Sequence, residues 1–178
     1  MSATTIRTDR LVLRGWQESD RDAWADMSAD PEVMEFFPST LDRRAADSVF
    51  DRIAASLDER GWGLWAVEHD GGFQGFTGLQ PVPFEAAFTP AVEIGWRLRR
   101  SAWGRGIATE AARAALDFAW SELGLDDVVA MAVAGNARSL AVMERLGMAH
   151  DPSADFDHPR VPDGPLRRHV LYRIRRSS

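Results

Sequence analysis

The sequence predicts an α+β domain: a mixed, mostly antiparallel sheet with helices on both faces. Three observations carry that prediction. Short runs such as Arg10–Trp16 and Arg168–Arg175 alternate apolar and polar residues, as half-buried strands do. Between such runs lie longer stretches with apolar residues at helical spacing, opened by capping residues and closed by glycines. The chain has 178 residues, enough for one domain with a substantial core, and no repeat or low-complexity tract divides it.

The elements follow in order. Arg10–Trp16 (RLVLRGW) is the first strand. Glu18-Ser19-Asp20 opens a helix through Ala23, Trp24 and Met27 that ends before Asp30-Pro31. Asp30–Pro38 reads as a helical turn followed by a loop. Ser39-Thr40 caps a long helix carrying Ala46, Val49, Phe50, Ile53 and Leu57, and Gly61 stops it. Gly63–Glu68 and Phe73–Gln80 form a hairpin around His69-Asp70-Gly71-Gly72. Pro81–Pro90, with three prolines, is a loop. Val92–Leu98 is the next strand and Thr109–Leu123 the helix after it. Asp127–Ala134 (DVVAMAVA) suits a central buried strand, and Ala137–Leu146 is a helix with Gly147 as its C-cap residue. His150–Pro165 reads as a long loop, and Arg168–Arg175 (RHVLYRIR) is the last strand.

Composition narrows the function. The formal net charge of -6 and a pI of about 5.2 argue against a nucleic-acid partner. There are no cysteines, which removes disulfides, thiolate metal sites and a cysteine nucleophile together. Every basic residue is arginine, so a Schiff-base lysine and the lysine of a nucleotide P-loop are absent too. The first residues lack the pattern of a signal peptide and no apolar run reaches membrane-spanning length, so the expectation is a cytoplasmic protein without a membrane partner. A homodimer is left open.

The stretch Ala91–Ala112 (AVEIGWRLRRSAWGRGIATEAA) runs from strand through a glycine turn into a helix. Gly104 and Gly106 let a ligand approach the backbone closely, and the N–H groups at the helix start, with the macrodipole, attract phosphate. Arg105 adds a cation and Thr109 a hydroxyl. A plain turn between strand and helix remains the alternative. A second strand–turn–helix, around Gly135-Asn136-Ala137-Arg138-Ser139, puts an amide and a hydroxyl at the C-terminal edge of the sheet. There the alternative is that Asn136 only caps its helix.

Together these segments resemble the acetyl-CoA-binding core of the GNAT N-acetyltransferase superfamily. The wider set of TDRLVLRGW, DPEVMEFF, VEIGWRL, WGRGIATEA, GNARSLAVMERLGM and RRHVLYRI resembles its RimJ/RimL-like branch of protein N-terminal acetyltransferases, from Thr8 to Ile174. The resemblance implies a six- to seven-stranded sheet splayed between its fourth and fifth strands, Val92–Leu98 and Val128–Val133. Pantetheine would lie in the splay against the backbone of Trp96, Arg97 and Leu98. The pyrophosphate would sit on Trp103, Gly104, Arg105, Gly106, Ile107, Ala108 and Thr109. Trp103 to Ala108 match the family pattern [QR]xxGx[GA], except that Trp103 replaces its polar first residue. Asn136 matches the asparagine that contacts the pantetheine arm.

Acetyl transfer to an amine needs a base, an oxyanion donor and a proton for the thiolate. Glu93 is the candidate base, acting through a water, and a backbone N–H near Gly95 or Trp96 the oxyanion donor. The family's usual tyrosine acid falls at Met143, and the only tyrosine is Tyr172. Ser139 is therefore the candidate acid. Without cysteine or lysine, direct transfer in a ternary complex is expected. The acceptor is a primary amine: first an N-terminal α-amine of a protein or peptide, then a small-molecule amine such as an aminoglycoside or amino-acid derivative. A non-catalytic acyl-CoA-binding protein is a further alternative. Trp24, Met34, Phe36, Phe37, Trp62, Trp65, Phe84 and Phe88 fall near the expected groove, most of them as core. Asp30, Glu32 and Glu35 read as a solvated face. No metal is expected, and His150, Asp151, Asp155, Asp157 and His158 read as loop residues.

Overall fold

Hydrogen-bond pairing brings nine strands into one sheet in a computed structural model that describes residues 3–176. The strands are β1 (Ile6–Arg7), β2 (Leu11–Arg14), β3 (Leu64–His69), β4 (Gly72–Pro81), β5 (Val92–Leu98), β6 (Asp127–Val133), β7 (Ala149–His150), β8 (Phe156–Asp157) and β9 (Arg168–Arg175). The helices are α1 (Arg21–Ala29), α2 (Arg43–Arg60), α3 (Ile107–Ser121) and α4 (Ala137–Arg145). The sheet order is β1-β2-β3-β4-β5-β6-β9-β7, with β8 also on β9, and every pairing is antiparallel except β5 with β6. This is the expected mixed α+β sheet, its six longer strands joined by three of two residues each, β1, β7 and β8.

Two cores follow from strand alternation. Against α3 and α4, Leu11, Leu13, Trp65, Val67, Leu79, Ile94, Leu98 and Val128 form one apolar layer. Ala111, Ala112, Ala115 and Ala119 of α3 have no exposure, and their small side chains let the helix lie close on the sheet. On the other face, Trp24, Ala46, Phe50, Ala66, Phe73 and Phe76 pack beneath α1 and α2. The Trp24 indole N–H donates to the Ala46 carbonyl at 2.7 Å and ties those two helices together. Gly78 is required by close approach: a Cβ there would stand 1.9 Å from the Gly63 carbonyl oxygen.

Three local expectations are corrected. The long helix is capped by Asp42, whose carboxylate accepts from the Ala45 N–H at 2.8 Å, not by Ser39-Thr40. The 150–165 stretch is not all loop, because β9 recruits it into β7 and β8. At the end of α4 the cap is Leu146, and Gly147 follows it in the left-handed region at φ 79°. There the Gly147 and Met148 N–H groups donate to the Glu144 and Met143 carbonyls in a Schellman arrangement.

Candidate active site

The site begins where the parallel pair fails. β5 and β6 are in register at Glu93 and Val129 alone, so the strands part beyond that point and their C-terminal halves enclose a V. A cleft of about 1980 Å³ runs through this opening from the start of α3 to the far face of the sheet.

One end of the cleft is the glycine turn. β5 passes through a 3-10 turn, Arg100–Ala102, to Trp103, and Gly104 and Gly106 hold φ of 71° and 73°. Side chains rarely adopt those angles, which is why glycine stands at both positions. The first intrahelical bond of α3 joins the Glu110 N–H to the Gly106 carbonyl at 3.0 Å, leaving the N–H groups of Ile107, Ala108 and Thr109 without helical partners. Ile107, Ala108 and Thr109 line the cleft with Gly104 and Gly106, while Arg105 is exposed beside it and is not part of the lining. The turn is fixed from behind: Arg10 donates to the Arg105 carbonyl at 3.1 Å, and Glu110 takes hydrogen bonds from Arg10 at 2.7 Å and from the Thr8 hydroxyl at 2.6 Å. These bonds hold the Glu110 carboxyl below the usual range, against the opposing effect of desolvation. Unpaired backbone N–H groups thus gather at a helix start, an arrangement that attracts anions.

The second strand–turn–helix forms the facing wall. Asn136 caps α4, its Oδ1 accepting from the Ser139 N–H at 3.2 Å. The side-chain NH2 of Asn136 remains a donor, so capping and ligand contact are compatible. Ser139 lines the cleft half-buried. Met143, only 1% exposed, is a core side chain whose edge completes the wall. Trp96 and Leu98 lie on the α3 side, and the Trp103 indole N–H donates to the Leu98 carbonyl at 3.0 Å. The guanidinium of Arg138 stacks 4.3 Å from the Trp103 ring and pairs with Glu35 at 2.7 Å, so α4 is joined to the 31–38 segment across the cleft.

On the far face the strand period puts Glu93, Gly95 and Arg97 in line. Glu93 lies opposite Gln80 of β4, whose side-chain amide donates to its carboxylate. Burial raises the Glu93 pKa, and the Gln80 hydrogen bond opposes that rise. The result is a carboxylate at the vertex of the V with heightened proton affinity. The Arg97 side chain turns away from the α3 side and lies against Phe37, Phe76 and Trp24. Across the groove, His158 and His169 sit with ring centroids 4.9 Å apart. Burial lowers the pKa of both and favours neutral imidazoles.

The aromatic candidates separate cleanly. Phe36 and Phe37 line the groove, and Phe37 is 38% exposed. Met34, Trp24 and Trp65 are buried, Trp65 in the opposite layer, while Trp62 packs onto that layer. Phe84 and Phe88 pack with Phe156. His150 meets Asp155 at 2.9 Å, and among the described residues no three His, Asp or Glu side chains converge as a metal site. The sequence did not single out Gln80 or His169, and His158 read as a loop residue rather than part of the cleft wall. Gln80 had left a signal, a polar residue closing the apolar run FTGLQ.

Residues 10–149 match the Acetyltransferase (GNAT) domain profile. The chain belongs to the GNAT acetyltransferase family. Among relatives of this GNAT domain is the FsC-acetyl coenzyme A-N(2)-transacetylase of Aspergillus fumigatus, 31% identical over 98% of this chain and 77% of that protein. The crystal structure of an acetyltransferase from Agrobacterium tumefaciens, 30% identical, superposes with a TM-score of 0.79 over 99% of this chain and 96% of that one. The fold is also that of Mycobacterium smegmatis RimJ in complex with CoA-disulfide, at 22% identity and a TM-score of 0.73 over 97% and 86% of the two chains. GNAT acetyltransferases use acetyl-CoA, and the splayed strands and glycine turn of this GNAT domain are where its own backbone offers donors.

Proposed function

We propose that this acetyltransferase moves the acetyl group of acetyl-CoA to a primary amine by direct attack in a ternary complex. The observation that carries the reading is the open V with Glu93 at its vertex and the glycine turn at its mouth. Bound acetyl-CoA supplies the acetyl thioester. The turn residues Trp103, Gly104, Arg105, Gly106, Ile107, Ala108 and Thr109 hold the pyrophosphate by backbone N–H groups. Trp96, Arg97 and Leu98 offer their backbone, and Asn136 its amide NH2, to the pantetheine arm, with Met143 as an apolar wall.

Glu93 takes the proton of the ammonium through a water, a task its raised proton affinity favours. A β5 backbone N–H at Gly95 or Trp96 donates to the carbonyl oxygen as negative charge grows on it. Ser139 delivers a proton to the departing thiolate.

The first acceptor is an N-terminal α-amine of a protein or peptide, a reading supported by the RimJ/RimL-like motifs from Thr8 to Ile174. A small-molecule amine is the second reading, favoured by the named N(2)-transacetylase that aligns over 98% of the chain. The test is CoA thiol release over an amine panel containing Ala- and Ser-starting peptides, aminoglycosides and amino-acid derivatives. Release with the peptides alone supports the first reading. Thermal stabilisation by acetyl-CoA without release for any amine overturns transfer and leaves a binding protein.

A further inference from the structure

Arg14 and Arg97 both reach into the interior, and they are held differently. Arg14 is held by Asp20 at 2.8 Å and Glu68 at 2.6 Å, as a structural buried cation should be. Arg97 has no carboxylate and no side-chain hydrogen bond among the described residues, and its Nε is sealed from solvent without a partner. Burial pulls its guanidinium pKa down to about 10. The plane is instead walled by rings, with Cζ 4.0 Å from the Phe37 centroid, 5.5 Å from Phe76 and 5.8 Å from Trp24. The residue as a whole is half-buried and lines the cleft.

A buried cation without a counter-ion is costly in the free protein, and that cost falls when an anion arrives. We infer that Arg97 is a subsite for a carboxylate carried by the amine acceptor. The inference rests on the acetyl-transfer reading and adds to it the chemical class of the acceptor. Acetyl-CoA does not fill this role: its phosphates belong to the turn at Gly104–Thr109, and the pantetheine and acetyl groups beside β5 are uncharged. Arg97 lies on the acceptor face with Glu93, and Gly95 between them leaves open space where a side chain would stand. The floor of the groove thus reads base, gap, cation. Its planar fork suits a carboxylate in bidentate fashion.

Spacing selects the acceptor further. Four residues of strand put the two Cα atoms about 13 Å apart. An α-amino acid, whose amine and carboxylate share one carbon, is too short to engage both. A peptide with an acidic side chain in its first few residues, or a long-chain amino acid, reaches.

The test is calorimetric titration of amine ligands onto the full chain saturated with CoA, which reads binding without turnover. One arm uses Ala-starting tetrapeptide amides with Asp or Glu at the second, third or fourth position against their Asn or Gln isosteres. The other uses long-chain amino acids against their amides. We expect at least one carboxylate ligand to bind roughly tenfold or more tightly than its amide. Arg97→Gln and Arg97→Met, each checked for folding by circular dichroism, should bring such pairs to parity with acetyl-CoA affinity held within about twofold. Parity in the wild type in both arms overturns the inference. So does a preference that either folded variant retains, or a loss of acetyl-CoA affinity in step with the loss of preference. If neither variant folds, Arg97→Lys decides by the same titration, since a point charge should keep part of the preference. Carboxylate preference without CoA release from acetyl-CoA would count against transfer while leaving the subsite in place.

Discussion

Gln80 and Glu93 face each other across the β4–β5 ladder, and the Gln80 amide donates to the Glu93 carboxylate at the vertex of the cleft. Burial and this hydrogen bond act on Glu93 in opposite directions, and burial is the larger. A base must be unprotonated to work, so activity should fall on acidification through a pKa above the usual glutamate range. Replacing Gln80 with Leu removes the opposing bond and should move that limb to higher pH. Glu93→Gln should lower kcat/KM by about a hundredfold or more at neutral pH and abolish the limb. The pH profile of CoA release checks both.

The same raised pKa has a stability consequence. The folded state holds this proton more tightly than the unfolded chain, so stability drops as pH rises from the ordinary glutamate value through the folded one. Above the folded-state value that loss is fully present. Glu93→Gln should therefore raise the thermal midpoint at neutral pH and match the wild type once both are uncharged in acid. Thermal unfolding scans across that range show whether the two curves converge.

The glycine turn offers a separate test. Gly106 holds φ 73°, and a Cβ there would lie 3.5 Å from an Arg10 guanidinium nitrogen, an ordinary contact. Gly106→Ala should thus cost only the left-handed backbone, about 1–2 kcal/mol. Gly106→Trp should also crowd this helix start and weaken acetyl-CoA binding by roughly tenfold or more. Urea denaturation and calorimetry read the two effects apart; unaltered acetyl-CoA affinity in the Trp variant would remove the turn from the binding site.

Much of this arrangement was legible in the chain. Val92–Leu98 and Arg168–Arg175 are strands with the bounds expected from the sequence. The helix after the turn starts at Ile107 rather than Thr109, because Gly106 itself serves as the N-cap. The cap of the long helix was misplaced at Ser39-Thr40, because it is the Asp42 carboxylate that reaches the Ala45 N–H. The short strands β7 and β8 carry no periodic signal, since they exist through pairing with β9, distant in sequence from β7 by the intervening 151–167 segment. In the same way, alternation in VEIGWRL puts Glu93 and Arg97 on one face, but the missing counter-ion of Arg97 is a fact of tertiary structure.

Away from the site, Arg14 supplies a stability prediction. Its guanidinium joins Asp20 and Glu68, with side-chain exposures of 11% for Arg14 and 4% for Asp20. These partners hold the guanidinium pKa above its usual value, while desolvation opposes them. Asp20 also accepts from the Gln17 N–H at 2.9 Å, so one carboxylate secures both the end of β2 and the entry to α1. Asp20→Ala leaves a buried cation short of a partner and should cost about 3–5 kcal/mol. A lowered urea midpoint at unchanged m is the expected result. Pairing it with Arg14→Met should recover part of the loss, since the uncompensated charge is then gone.

Ser139, the proposed acid, is the remaining chemical test, because Met143, which by resemblance takes the place of the family's tyrosine, is sealed in the core at 1% exposure. Such a side chain neither donates a proton nor admits water to do so. Ser139 stands one helical turn earlier on α4, its backbone N–H engaged by Asn136, and the residue lines the cleft. Removing that hydroxyl leaves the cap intact, so Ser139→Ala should keep the fold and acetyl-CoA affinity. The deficit should appear in kcat, by about tenfold or more, if the hydroxyl protonates the thiolate. An aromatic thioester whose thiolate leaves without a proton should narrow the gap between variant and wild type. An equal deficit with both thioesters would assign Ser139 to positioning and move the acid elsewhere on the cleft wall, with the neutral imidazoles of His158 and His169 next to be substituted.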